Sequence, residues 1–109
     1  MAIQNMSVTE TVVEDVQILK RPGYEGIPMT LDATAFTDGV CKAGTPIGAG
    51  GVIKNDGDCI GLNLYDVKQS RPQATLLKKG YVDSAKITSH YGTAIAETAK
   101  KALPMIVFE

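Results

Sequence analysis

The sequence predicts a mainly β fold of the α+β class, a small antiparallel β-barrel or sandwich with one short C-terminal helix and an N-terminal arm. Three observations predict it. From Gly39 to Ile87, short apolar segments alternate with Gly, Pro, Asn and Asp turn signals at about ten-residue spacing, the pattern of a small antiparallel sandwich or barrel. Near the C-terminus the period changes: Tyr91, Ile95, Thr98 or Ala99, and Ala102 share one helical face. Ahead of Arg21-Pro22-Gly23, a strong turn signal, the chain is rich in Val and Thr and differs from the residues after the turn.

Residues 1–23 are accordingly read as an arm or strand and residues 24–109 as one β-rich domain. The Val and Thr content favours an extended arm. Val12, Val16 and Leu19 also fit a helical stripe, and Ser7-Val8-Thr9-Glu10 has the form of a capping box. In the body, Ile27, Met29, Leu31, Ala33 and Ala35 fall on one side at a spacing of two, a half-buried strand with Pro28 at its start or at a sheet edge. Thr37-Asp38-Gly39 is a turn, and Val40-Cys41 opens the next short strand. The glycines from Gly44 to Gly51 mark sheet corners. Lys54-Asn55-Asp56-Gly57-Asp58, between Val52-Ile53 and Cys59-Ile60, reads as a tight hairpin loop. Leu62 and Leu64 keep a strand spacing, and Lys68 to Gln73 is a polar loop. Thr75 to Ile87 reads as strand with breaks at Gly80 and at Asp83-Ser84. Thr88-Ser89 offers the N-cap of the one helix, Glu97 and Lys101 a favourable pair on it, and Pro104 its end. Met105 to Phe108 reads as a short buried strand joining the main sheet.

Length and charge narrow the function classes. A chain of 109 residues supplies one domain that buries about two thirds of its unfolded surface. With no tryptophan and 6% aromatics, the core is aliphatic. A net charge of −1 argues against nucleic acid as the main partner, because phosphate binding needs a basic excess. The first twenty residues lack a basic start and an apolar run, so no secretory signal is expected. No apolar stretch approaches a membrane span. A cytoplasmic site of synthesis is therefore expected. There, Cys41 and Cys59 are expected as two buried thiols, although a disulfide between neighbouring strands is geometrically open.

Chemistry finds little footing. The single histidine, His90, lies near the helix start and reads as a surface or capping residue; no motif pairs it with Cys41 or Cys59. The run from Gly44 to Gly51 lacks the Gly-Lys-Ser/Thr ending of a phosphate loop and leads into strand rather than helix. Asp56 and Asp58 do not complete a calcium series, and one histidine with two separated cysteines does not make a zinc site. Neither metal nor cofactor is expected.

Three segments carry a resemblance: Lys42-Ala-Gly-Thr-Pro-Ile-Gly48, Ile60-Gly-Leu-Asn-Leu-Tyr-Asp-Val67 and Leu76-Leu-Lys-Lys-Gly-Tyr-Val82, with an alanine-rich helix and the apolar strand Met105 to Phe108 after them. In pattern and order, from Gly39 to Phe108, the chain resembles the small head-decoration proteins of tailed bacteriophages, meaning the lambda-type capsid-stabilising proteins and related head-fibre proteins. The resemblance implies a non-enzymatic virion protein that clusters as homotrimers on the outer capsid surface. It would be made in the host bacterial cytoplasm and bind the major capsid protein through an N-terminal arm. The arm residues are then Ser7, Val8, Thr9, Val12, Val13, Val16 and Ile18, since an extended segment can add a strand to a partner's edge. In one respect the chain departs from that pattern: its N-terminal segment has more Val and acidic residues than a typical flexible arm. Two rivals remain, another phage structural module (a tail-tube or connector subunit), and a small β-barrel enzyme or ligand carrier built on His90 and the Gly-rich corner.

Overall fold

A computed structural model describes residues 18–109. Seven strands form in chain order: β1 (Glu25–Thr30), β2 (Val40–Cys41), β3 (Pro46–Gly48), β4 (Cys59–Asn63), β5 (Val67–Lys68), β6 (Gln73–Val82) and β7 (Ile106–Phe108). Two short helices, α1 (Ser84–Tyr91) and α2 (Glu97–Ala102), separate β6 from β7. The main sheet runs β1-β6-β4-β3, with β7 also paired to β6, and β2 and β5 make a separate ribbon. The fold is mainly β, as the alternation predicts. The sheet does not close into a barrel.

β6 is the hub. It pairs antiparallel with β1 over Gln73–Lys79, antiparallel with β4 at Leu76 and Leu77, and parallel with β7 over Gly80–Val82. Buried on both faces, it divides the interior in two. Leu77 and Val82 pack with Leu62, Ile87, Ala99 and Ile106. Leu76 and Ala74 pack instead with Leu31, Cys41, Ile47 and Val67. Adjacent strand residues point to opposite faces, so consecutive Leu76 and Leu77 each fill a different cluster. The side chains are aliphatic, as the scarcity of aromatics requires.

The corner between β2 and β3 is held by one buried amide. Asn63 is fully buried. Its Nδ2 donates to the carbonyls of Cys41 at 3.0 Å and Lys42 at 3.1 Å. Its backbone N–H donates to the Thr45 carbonyl, and its own carbonyl accepts from Gly44 N–H. Neighbouring Thr45 donates its hydroxyl to the Lys42 carbonyl at 2.6 Å.

Several local expectations are corrected by tertiary contacts. The strand that begins at Glu25 stops at Thr30. Asp32 then caps a 3-10 turn over Ala33–Ala35, its carboxylate accepting from Thr34 N–H and Oγ1. Ile27 is 40% exposed, because β1 is an edge strand, a place that tolerates the missing donor of Pro28. The tight hairpin over Lys54–Asp58 does not form between Val52-Ile53 and Cys59-Ile60. Ile53 bridges Ile47, and β3 is the strand that pairs with β4. The helical region is two helices, not one. Asp83 caps α1 by accepting from Lys86 N–H at 3.1 Å, and Gly92 ends it in the left-handed region at φ 98°. Thr88 and Ser89 are therefore inside α1 rather than at a cap. On α2 it is Lys100, not Lys101, that meets Glu97, at 3.8 Å.

Asp83 also gives a pH prediction. The Lys86 N–H bond, helped by the charges of Lys20 and Lys86, holds its carboxyl below the ordinary value of 3.8; Thr34 does the same for Asp32. A depressed carboxyl binds its proton more weakly in the folded state. Its contribution is thus present above the unfolded value and lost as pH falls through the folded one. Melting temperature should fall on acidification below about pH 4. Asp83→Asn should flatten that limb, because its amide oxygen still caps but carries no charge. Thermal melts from neutral to acidic pH measure both; an unchanged acid limb in Asp83→Asn would exclude this origin.

Candidate functional site

Two surfaces are candidates for function. The first is a groove of about 480 Å³ whose lining includes Val40, Cys41, Lys42, Ile53, Asp66 and Tyr91. Of the residues on which an enzyme reading rests, Cys41 lines this groove, while His90 lines a separate one with Asp83, Lys86 and Ser89. His90, in the last turn of α1, shares a 2.6 Å hydrogen bond between Nε2 and Asp66 Oδ1. The same Oδ1 accepts from Ala43 N–H at 2.8 Å. His90 and Asp66 thus tie α1 to the corner after β2. Cys41 is 1% exposed, and burial pushes its thiol above the ordinary value against weaker help from Thr45 and Asn63. Burial likewise raises Cys59, whose Sγ–H donates to the Gly61 carbonyl. Protonated, buried thiols are poor nucleophiles. Both cysteines are free and occupy different clusters, Cys41 with Leu76 and Cys59 with Leu77.

The Gly-rich run makes corners. Gly51 has φ +79°, and a Cβ there would stand 2.5 Å from the Thr30 carbonyl oxygen. This run holds the chain against the end of β1. Asp56 Oδ1 accepts from Asp58 N–H, a local turn bond. Among the described residues there is no group of three or more His, Cys, Asp or Glu side chains placed to hold a metal ion. Nor is any described helix long and apolar enough to cross a membrane.

The second surface is an exposed apolar face. Tyr24, Tyr81, Met105 and Val107 are 40%, 42%, 56% and 44% exposed, and they line one groove of about 290 Å³ with Glu25 and Lys79. Strand geometry puts them together. Along β6, Lys79 and Tyr81 point outward while Gly80 and Val82 are buried. Tyr81 stands opposite Val107 in the β6–β7 ladder, and Glu25 opposite Lys79 in the β1–β6 ladder. The Arg21 guanidinium lies 5.2 Å from the Tyr81 ring centre and bonds Glu109 at 3.1 Å. Tyr24 shares a 3.2 Å hydroxyl bond with Tyr65. Apolar side chains gathered in this way mark interaction surfaces more than isolated ones do.

Of the predicted arm, Ser7, Val8, Thr9, Val12, Val13 and Val16 lie outside the described residues. Ile18 does not face outward. It is fully buried in the cluster with Leu77 and Ile87. Residues 18–20 are strapped to the end of β6: Asp83 N–H donates to the Ile18 carbonyl, Leu19 bridges Val82, and Lys20 N–H donates to the Tyr81 carbonyl. The body therefore includes residues ahead of the Pro22-Gly23 turn. The exposed face escapes a sequence reading because Met105 to Phe108 is uniformly apolar. Only Ile106 is fully buried there, while Met105 and Val107 face out. The alternation of Lys79, Tyr81 against Gly80, Val82 is the signal that could have found it. Comparison with known proteins returns no match, either to a family model or to a curated protein sequence.

Proposed function

We propose that this protein is a structural component of a phage head, binding the outer surface of the capsid lattice and cementing neighbouring capsid subunits. The observation that carries the reading is the exposed apolar face at Tyr24, Tyr81, Met105 and Val107, on a small body whose histidine and thiols serve packing and hydrogen bonding. A domain built this way presents surface, not chemistry. The residues Ser7 to Val16 supply the docking arm for the major capsid protein, and Ile18 anchors that arm to the body. Many equal contacts, each weak, become strong when repeated over a closed shell.

The first test is copy number in virions of the phage that encodes the chain, by quantitative mass spectrometry against the major capsid protein. A ratio near unity is the expected result. A ratio far below it assigns the protein to the tail or connector, and absence from virions overturns the structural reading. The second test deletes residues 1–17. The truncated protein should keep the circular dichroism of the body and lose binding to undecorated heads. Retained binding would show that the body, not the arm, docks.

A further inference from the structure

We infer that the apolar sheet face around Tyr81 is the contact between copies of this chain. The inference deepens the decoration reading by naming where neighbouring copies meet. It is tested on the free protein, so its failure leaves the virion measurements standing.

The occupant is identified by the composition of the face. Its centre is Tyr24, Tyr81, Met105 and Val107, two aromatics and a methionine among four residues. Those residue types are enriched in the buried centres of protein contacts. Its rim carries both signs. Glu25 and Lys79 stand side by side in the ladder, yet among the described residues neither forms a salt bridge. Both charges remain available to a facing surface. A strongly acidic or basic partner gains nothing from such a rim, since one attraction is offset by one repulsion. A second copy offers the same apolar centre and the same pair of opposite charges, so Glu25 of one copy can meet Lys79 of the next. The edge of β1 is a poorer docking place, because Pro28 in its middle has no N–H to donate to an added strand.

The test is sedimentation velocity of the full chain over a wide concentration range. Reversible association is expected. Tyr81→Glu and, separately, Met105→Glu should each weaken the dissociation constant by more than about tenfold, as loss of a central contact does. Both positions are exposed in the single copy, so circular dichroism and melting temperature should hold; two variants guard against one misfolding. Glu25→Lys alone and Lys79→Glu alone should each weaken association, and the double reversal should restore it. A chain that stays monomeric at every concentration overturns the inference. So does an oligomer that persists unchanged in both Glu variants, because its contact then lies elsewhere.

Discussion

Replacing Asn63 with alanine is expected to cost about 3 kcal/mol of folding stability, from the loss of buried donors and the space left behind. The side chain is fully buried, and its amide serves the carbonyls of Cys41 and Lys42 across the corner after β2. The Asn63 backbone bonds to Gly44 and Thr45 close the same corner, so loosening it exposes both clusters to rearrangement. Asn63→Asp keeps the shape but turns the donor into an acceptor facing two carbonyls, and it should be at least as damaging at neutral pH. Asn55 is the internal control. It also makes two bonds, from Nδ2 to the Ala94 carbonyl at 3.1 Å and from Ala96 N–H to Oδ1 at 2.8 Å. It does so beside solvent, so Asn55→Ala should cost only about 1 kcal/mol. Urea denaturation of the variants measures the difference. Equal losses at the two positions would refute the assignment of Asn63 as the corner's tie.

Gly51→Ala should be destabilising by about 3 kcal/mol or more, combining backbone strain with overpacking. The φ of Gly51 is +79°, and the new Cβ would meet the Thr30 oxygen at 2.5 Å, Asp32 N at 2.9 Å and Leu31 Cα at 2.9 Å. All three are backbone atoms, so no rotamer change relieves the clash. The Gly51 carbonyl also accepts from Asp32 N–H at 2.9 Å, and moving the turn would break that bond. Gly50 separates the two causes. It has nearly the same φ, +82°, with nothing near its hypothetical Cβ. Gly50→Ala should therefore show the strain alone, about 1 kcal/mol. If the two substitutions cost the same, crowding against β1 is not what constrains Gly51.

Asn63 and Gly51 differ in how much of their role is legible in the sequence. The glycines are recognisable as corners from local chemistry alone, since Gly suits positive φ and a β-rich chain must turn. Which glycine is crowded depends on Thr30 and Leu31, some twenty residues away, and no local pattern reports that. Asn63 gives no signal, because an isolated Asn in an apolar run looks the same whether it is buried or faces solvent. The two-helix arrangement is hidden for a related reason. Asp83 and Gly92 are good cap residues, but the strand-like run up to Ile87 and the helical face from Tyr91 onward outweigh them.

Local chemistry was enough for the mainly β class, the aliphatic core, and the turns at Asp38-Gly39 and around Gly44–Gly51. All come from short-range preferences and a two-residue period that act wherever the chain goes. Long-range pairing was needed to make β6 the hub, to place Ile18 in the core, to bind His90 to Asp66, and to bring Tyr24, Tyr81, Met105 and Val107 onto one exposed face. Strand order and register gather those residues from distant parts of the chain, and pairing across a sheet leaves no mark in local spacing.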